Sequence, residues 1–546
     1  MKTVKKSKSG WVSLLLVLCL TLVVACSSNS GSTKNEGNSG TNSGKTNNEE
    51  KKASEPEVRK ERVTLKIEVF DRGNSPEGST VTDNEMTRYI QENFGDPNNI
   101  DVEFVAIPRS EEINTLNVQM AAGTAPDLIF TYNEGAIYNW AQQGGLTDLG
   151  PAIEQYGPNL QQYLKDSLAF GVFDGTQYAV VARRVNQEKY SSFIRQDWLD
   201  KLGLQAPTST EETYNVLKAF KEAKLGGDRT IPLGFSLTPD SYEPVIWSFL
   251  KEQTDEARYL KAVTIGSREY PILIDGHKDA LQFLNKLYNE GLMDPDFALD
   301  KDKKKRTENF VNGYTGMFSA DTGTFYGNES AMPITLETNV PGATVNNVLP
   351  WTDLEGKSYQ PQYNPSGMYI AVPVFSERVN EVIQYLNWMA QDEVIQYMAF
   401  GEEGVHHDVV NGYPIRNGSD ADTKLLYNTG DYLIITNGID FGSPERNNEY
   451  AALNVVEKHR DLALQSREFA RKDAVAQPIR FNKPLDSEAK YSVVMLEKYE
   501  ELLVNSIMAK TSDFDKVYDA ALNDFMTTAG NEVIKEREAA YAELKK

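Results

Sequence analysis

The chain contains 546 residues, and its 79 acidic and 56 basic side chains give a formal net charge of −23. This acidic balance argues against a nucleic-acid partner and against broad contact with anionic lipid. The length exceeds what one hydrophobic core usually holds, so the body of the protein is expected to form two lobes.

The first 25 residues have the pattern of a secretory signal peptide. Four lysines precede an apolar stretch of about fifteen residues, which is short for a bilayer span of roughly 20. Ala25 and Cys26 at its end resemble the lipobox of bacterial lipoproteins, which implies cleavage after residue 25 and a diacylglycerol on Cys26. The alternative is an uncleaved N-terminal anchor. Since Cys19 would leave with the signal, no disulfide is expected.

Residues 27–62 are rich in Ser, Asn, Gly, Thr, Lys and Glu and contain no aromatic residue. Such a segment cannot bury enough apolar surface to become ordered. Together with Cys26 it is predicted to be a disordered tether, with an r.m.s. reach of about 30–35 Å as a flexible coil. The folded body is therefore expected over 63–546, held at the membrane by one end.

The beginning of the body predicts alternating strands and helices. Strands are indicated at 63–70, 100–107 and 127–130, with helices at 82–95 and 110–123 between them. This βαβαβ order requires a parallel sheet with helices on its faces. Ligands of such sheets bind beyond the carboxyl ends of the strands, which places Tyr132 and Asn133 at the mouth of a cleft. The alternative for Tyr132 is packing against a neighbouring loop.

Three segments carry a resemblance to a known family: "AAGTAPDLIF" at 121–130, "WAQQGGLTDLGPAIEQYGPN" at 140–159 and "FIRQDWLDKLGLQAPTSTEE" at 193–212. They resemble the extracellular solute-binding proteins (family 1, large lipoprotein subgroup) of bacterial ABC carbohydrate importers. The resemblance implies an α/β, two-lobed, periplasmic-binding-protein-like (type II) fold with parallel-core sheets, a hinge between the lobes and extra C-terminal helices.

The resemblance also implies the function and the division of the chain. Lobe 1 is expected at about 63–190 plus part of 370–546, and lobe 2 at about 191–370 plus part of the C-terminal region. The protein is expected to be a monomer, lipid-anchored on the extracellular face of the cell membrane. It would capture an oligosaccharide between the lobes and deliver it to the transmembrane subunits of an ABC permease.

The segment "IRQDWLDKLGL" supplies three candidate ligand contacts, Arg195, Asp197 and Trp198. A tryptophan face stacks on the C–H face of a sugar ring, and arginine offers a planar fork of donors to hydroxyls or a carboxylate. The alternatives are that Trp198 is buried in the core and that Arg195 and Asp197 pair with each other.

Four further ligand contacts are expected in the second half of the fold. Trp247 is placed near the lobe interface by the family resemblance. Asp321 follows the short strand "GMFSA" and can either hold sugar hydroxyls or cap the next segment. Tyr363 and Tyr369 flank "YNPSGMYIAVP" (363–373), which is predicted to cross between the lobes.

The sequence gives no catalytic or metal assignment. The four histidines are scattered, with His406 and His407 adjacent and pointing different ways on any regular element. The acidic run at 294–303 could hold structural calcium through its oxygens, but it lacks the EF-hand spacing, and solvated helix caps are the preferred interpretation. No cofactor is expected. A binding receptor is favoured over the alternative, a surface lipoprotein glycoside hydrolase or polysaccharide lyase.

Overall fold

The structure, a computed structural model, describes residues 61–546 apart from 266–267, 328–330, 354, 476–480 and 482–484. The predicted signal peptide, Cys26 and nearly all of the tether lie outside the described residues. Across the described part of the chain, no helix is both long enough and apolar enough to cross a membrane.

The strands form two four-stranded sheets and several two-stranded pairs. In chain order they are β1 (Val63–Asp71), β2 (Ile100–Pro108), β3 (Ile129–Thr131), β4 (Val172–Phe173), β5 (Thr176–Gln177), β6 (Val180–Arg184), β7 (Tyr190–Arg195), β8 (Ile231–Leu233), β9 (Val263–Ile265), β10 (Arg268–Tyr270), β11 (Thr315–Asp321), β12 (Val345–Val348), β13 (Gln360–Pro361), β14 (Ser366–Ala371), β15 (His407–Val410), β16 (Tyr413–Arg416), β17 (Thr436–Asn437) and β18 (Ala474–Val475).

The α-helices pack around these sheets and form the C-terminal part of the chain. They are α1 (Glu85–Ile90), α2 (Glu112–Ala122), α3 (Glu134–Gln142), α4 (Gly150–Tyr156), α5 (Pro158–Tyr163), α6 (Gln196–Leu202), α7 (Thr210–Ala223), α8 (Pro239–Phe249), α9 (Asp255–Lys261), α10 (His277–Asn289), α11 (Lys304–Val311), α12 (Thr322–Phe325), α13 (Met332–Asn339), α14 (Val379–Met389), α15 (Asp392–Phe400), α16 (Asp420–Leu426), α17 (Thr429–Tyr432), α18 (Pro444–Leu453), α19 (Arg460–Arg471), α20 (Asp486–Met508), α21 (Phe514–Phe525) and α22 (Asn531–Leu544).

The sheet of lobe 1 has the strand order β17-β6-β14-β3. The parallel pair β1–β2 adjoins it, because Leu128, just before β3, accepts from the Glu68 N–H at 3.0 Å and donates to the Lys66 carbonyl at 3.1 Å. The predicted βαβαβ order of the first 70 residues of the body is thereby confirmed.

The sheet of lobe 2 has the strand order β12-β7-β11-β8. Both sheets are mixed and not purely parallel, since β14 runs antiparallel to β3 and β6, and β7 runs antiparallel to β11 and β12. The physical reason is the route of the chain. β7 and β14 enter their sheets directly from the other lobe, so they run away from the edge at which their neighbours end.

Each lobe has its own hydrophobic core, and the predicted C-terminal helices belong to lobe 2. Met495, Tyr499 and Leu502 of α20 and Phe525 of α21 lie in the same buried cluster as Trp247 of α8. The described residues from 61 onward nevertheless belong to one compact unit. The two-lobed α/β architecture expected from the sequence is confirmed.

Candidate ligand-binding cleft

The carboxyl ends of three lobe 1 strands meet at one edge of the sheet. β3 and β6 both lie antiparallel to β14, and β17 lies parallel to β6, so all three point the same way. Arg184 ends β6 and is the register partner of Asn437, which ends β17. Tyr132 follows β3, and Tyr363 lies in the chain that enters β14 at this edge. Ligands bind at such strand ends in open α/β sheets.

The corresponding edge of lobe 2 lies next to it. β11 ends at Asp321, whose register partner is Tyr190 at the start of β7. The backbone N–H of Thr322 donates to the carbonyl of Lys189 at 3.0 Å. Because residues 185–189 connect β6 directly to β7, the end of β6 in lobe 1 and the end of β11 in lobe 2 face a common space.

A cavity of about 300 Å³ occupies this space. A second cavity of about 450 Å³ adjoins it and shares Asn186, Thr322, Gly323 and Arg467 with it. The lining of the first cavity comes from both lobes, from the crossing segments and from α19; it consists of Arg184, Asn186, Glu188, Asp321, Thr322, Gly323, Tyr363, Asn437 and Arg467. A concave site with a few convergent polar groups between two lobes is typical of a small-ligand site.

Two tyrosines and two cations form a layered group beside the cavity. The Arg184 guanidinium carbon lies 4.5 Å from the ring centre of Tyr363 and 5.9 Å from that of Tyr132. The ammonium of Lys189 lies 5.2 Å from the ring centre of Tyr363. Asn437 Nδ2 approaches the Tyr132 hydroxyl at 3.4 Å. Cation–π contacts of this kind hold aromatic rings in fixed orientations.

Burial is the main cause of the pKa shifts of two charged groups in the cleft, Asp321 and Arg184. Removal from water raises the pKa of Asp321, while Lys303 and Arg184 partly oppose that rise. Burial likewise lowers the pKa of Arg184, although a guanidinium stays protonated at any physiological pH. Lys189 pairs with Glu243 of α8 at 3.4 Å, and both side chains are buried.

The structure brings together three of the residues expected from the sequence, Tyr132, Asp321 and Tyr363. Asp321 also fulfils the alternative prediction, since its Oδ1 accepts from the Gly323 N–H at 3.0 Å as the N-cap of α12. Asn133 has a similar capping role: its Oδ1 accepts from the Ala136 N–H at 3.1 Å at the start of α3.

Arg195, Asp197 and Trp198 lie away from the two cavities described above. Arg195 donates to both carboxylate oxygens of Asp197 at 2.7 Å and is 2% exposed. Trp198 is 1% exposed and packs edge-to-face on Phe220 at 5.2 Å. β7 begins at the cleft with Tyr190 and ends at Arg195, about 16 Å away at ~3.3 Å per residue. These contacts match the alternative interpretation of the motif, in which Trp198 is a core residue and Arg195 pairs with Asp197.

Trp247 and Tyr369 are also core residues in this structure. Trp247 is 2% exposed within α8, and the Arg258 guanidinium carbon lies 5.4 Å from its ring centre. Tyr369 is 4% exposed on β14, between β3 and β6. Neither side chain lines the two cavities described above, and the burial of both favours a packing role.

Sequence reasoning missed most of the polar lining. Arg184 and Asn186 follow a buried strand, so the same strand-end rule that selected Tyr132 could have found them. Asn437 and Arg467 carry no local signal, because they reach the cleft only through the tertiary placement of β17 and α19.

Two of the four aspartates in the acidic run at 294–303 form ion pairs with neighbouring lysines. Lys305 forms an ion pair with Asp296, and Lys304 pairs with Asp302 at 2.8 Å. Asp300 accepts from the backbone N–H of Arg306 at 2.9 Å. Among the described residues, no group of three or more His, Cys, Asp or Glu side chains is arranged to hold a metal ion. The carboxylates thus act as helix caps and ion-pair partners.

The fold and the cleft have the character of a binding receptor, and comparison with known proteins identifies the class. The profile of the family described as "Bacterial extracellular solute-binding protein" matches residues 90–402, more than half of the chain. The protein belongs to this family, as its sequence motifs predicted.

Three relatives illustrate the similarity. Lipoprotein LipO of Bacillus subtilis is 26% identical over 467 residues, covering 82% of this chain and 87% of LipO. The polygalacturonan/rhamnogalacturonan-binding protein YtcQ of the same organism is 24% identical over 326 residues, covering 57% and 61%. The ABC-transporter substrate-binding protein FusA of Streptococcus pneumoniae is 26% identical over 198 residues, covering 33% and 36%.

The structure of FusA in complex with kestose has the same fold, with a TM-score of 0.63 at 14% identity over 88% of this chain and 99% of FusA. YtcQ and FusA are named as binding proteins, and none of the three relatives is named as an enzyme.

Proposed function

We propose that this protein is a membrane-anchored receptor that captures an oligosaccharide in the cleft between its lobes and delivers it, chemically unchanged, to an ABC permease. The ligand would lie at the carboxyl ends of β3, β6 and β11, where side chains of both lobes reach it. Contacts to both lobes stabilise the closed form relative to the open one, so ligand binding shifts the hinge toward closure.

The observation that carries this proposal is the combination of aromatic faces and polar groups around one cavity. Tyr132 and Tyr363 offer ring faces of the type that stack on sugar C–H faces. Arg184 and Asn437 from lobe 1 and Asp321 from lobe 2 offer donors and acceptors suited to hydroxyl groups. A volume of about 300 Å³ lies at the lower end of the range for small-molecule sites.

The relatives support a carbohydrate ligand. YtcQ is named for binding polygalacturonan and rhamnogalacturonan, and FusA is named for fructooligosaccharides and was crystallised with kestose. FusA is also named as part of an ABC transporter. The ligands for which YtcQ and FusA are named differ in charge. The two relatives therefore support a carbohydrate ligand but do not indicate which carbohydrate.

Lipid anchoring rests on the sequence around Cys26 and on the relative LipO, which is named as a lipoprotein. Two acyl chains on one cysteine hold a protein at a membrane, whereas a single chain holds it only marginally. An anchored receptor stays close to its permease, and the tether lets the folded body move between them.

The proposal is tested by titration calorimetry of the full chain in detergent against a library of plant and microbial oligosaccharides. We expect a saturable heat with at least one sugar, and the sugar should be recovered intact by mass spectrometry after prolonged incubation. Progressive appearance of shorter or unsaturated products would instead support a glycoside hydrolase or a polysaccharide lyase. Absence of binding across the library would refute the receptor function.

A further inference from the structure

Arg184 differs from the other cations around the cleft because it forms no ion pair with a described residue; the carboxylate that shares its cavity, Asp321, acts on it only from beyond ion-pair distance. Lys189 pairs with Glu243 at 3.4 Å, Arg467 pairs with Glu188 at 3.4 Å, and Lys303 pairs with Asp240 at 3.1 Å. The described part of the chain places no carboxylate within 4.0 Å of the Arg184 guanidinium nitrogens. Even Arg183, the preceding residue on the same strand, forms an ion pair, with Asp440.

The Arg184 side chain is half-buried and is held in place by contacts that do not include an ion pair. Its Nε donates to the Ser366 carbonyl at 3.3 Å, and its planar group lies over the Tyr363 ring at 4.5 Å. Within the described residues, neither of its two Nη atoms has a hydrogen-bond acceptor, and the side chain lines the cavity of about 300 Å³. Removing a cation from water without an opposite charge is unfavourable, so the site favours an anion from outside the protein.

The charged residues that line the cavity are two cations, Arg184 and Arg467, and two carboxylates, Glu188 and Asp321. Lys189, Arg467 and Arg471 have only two carboxylate partners, Glu243 and Glu188, because the two arginines share Glu188. Asp321 is the further acid of the cavity, and burial raises its pKa. When Lys189, Arg471 and Glu243 behind the lining are added, four cations and three carboxylates surround the crossing segment, although the protein as a whole carries a net charge of −23. The cleft is therefore more favourable to an anion than the rest of the molecule.

We propose that Arg184 recognises a carboxylate on the ligand, so that the oligosaccharide contains a uronic acid unit whose ring lies against Tyr363. This inference rests on the receptor function proposed above and specifies its ligand class. The planar fork of a guanidinium matches the two oxygens of a carboxylate and forms two parallel hydrogen bonds, which a neutral hydroxyl cannot do. The stacking on Tyr363 fixes the plane of that fork before the ligand arrives.

The test measures calorimetric affinity of the full chain in detergent for matched ligand pairs. Trisaccharides of galacturonate and mannuronate and a glucuronate-bearing xylotriose are compared with galactotriose, mannotriose and unsubstituted xylotriose. We expect at least one uronate to bind, and its carboxyl-reduced form to bind on the order of 30-fold more weakly. A sulfated galactotriose is included, and preferential binding of that sulfate would overturn the assignment of a carboxylate.

The protein variants connect this preference to Arg184. Arg184→Gln should lower affinity for the uronate on the order of 30-fold but affinity for the carboxyl-reduced sugar only about threefold or less. Arg183→Gln, a matched change on the opposite face of β6, should leave affinity for both sugars unchanged. The comparison of sugars on unaltered protein remains decisive if Arg184→Gln folds poorly.

The negative outcomes are distinguishable. Binding of neutral sugars with no preference for any uronate would overturn the role of Arg184 and leave the receptor function standing. An equal loss of affinity for both forms of the sugar in Arg184→Gln would also overturn the carboxylate contact. Failure of every sugar to bind would refute the receptor function itself.

Discussion

Replacement of Trp198 by alanine separates the structural and ligand-binding roles of the aromatic residues. The Trp198 ring is 1% exposed and packs against Phe220, and the Arg195 guanidinium carbon lies 4.9 Å from its ring centre. A Cβ atom added to Gly316 would lie only 2.9 Å from the Trp198 ring, which shows how closely its surroundings fit. We predict that Trp198→Ala destabilises lobe 2 and leaves the cleft itself intact.

The expected magnitude follows from the area that Trp198 buries. An aromatic side chain buries roughly 150–250 Å², which corresponds to about 4–6 kcal/mol at ~25 cal/mol per Å². Measured losses for Trp→Ala in cores are about 3–5 kcal/mol, since part of the cavity collapses. Tyr363→Ala provides the contrast: Tyr363 is half-buried at the cleft, so its loss should cost about 1 kcal/mol of stability or less.

The assay combines denaturant unfolding with calorimetric binding for both variants of the full chain in detergent. Trp198→Ala should lose about 3–5 kcal/mol of unfolding free energy and, where folded, bind sugar with nearly the wild-type affinity. Tyr363→Ala should remain stable and bind at least about tenfold more weakly. If Trp198→Ala had normal stability but no longer bound sugar, the prediction would be refuted and Trp198 would be a ligand contact.

Three further predictions concern the anchor and buried titratable groups. Cys26→Ser should move the protein from the membrane to the medium or leave it unprocessed, as fractionation would show. Burial lowers the pKa of His277 to about 3, so stability is lost as pH falls below 6.5. His277→Gln should remove about 2–3 kcal/mol of the loss between pH 7 and 4.5 in denaturant titrations. Burial raises the pKa of Glu68, so wild-type stability falls as pH rises through that raised pKa. Glu68→Gln removes this titration, so its stability relative to wild type should increase with pH above the ordinary carboxyl range, as denaturant titrations between pH 5 and 8 would show. A Cys26→Ser variant that is cleaved and retained at the membrane like the wild type would contradict the first prediction. Unchanged pH profiles of stability in the other two variants would contradict the second and third.

The secondary structure was predictable wherever the burial of one face of an element gave the sequence a clear hydrophobic periodicity. The alternation at 63–70 gave β1, and the apolar face of 277–289 gave α10, in which Ala280, Leu284 and Leu287 are buried. Gly203 ends α6 with a positive φ of 65°, a backbone conformation that glycine adopts without steric cost. These features depend on neighbours within a few residues, and such neighbours are visible in the sequence.

The site was only partly predictable, because the direction of a strand within its sheet is not encoded locally. The strand-end rule selected Tyr132, which follows β3, and Asp321, which ends β11, and both lie beside the candidate cleft. Arg195 was proposed from its motif alone, and the motif does not show that β7 starts at the cleft and runs away from it. Arg467 could not be found either, because it lies far along the chain and reaches the cavity on α19.

A crystal structure of the complex with a sugar identified by calorimetry tests the central claim most directly. The account predicts an intact oligosaccharide in the cavity between the lobes, with one ring against Tyr363 and polar contacts to Arg184 and Asp321. A sugar bound outside this cavity, or cleavage products within it, would contradict the account.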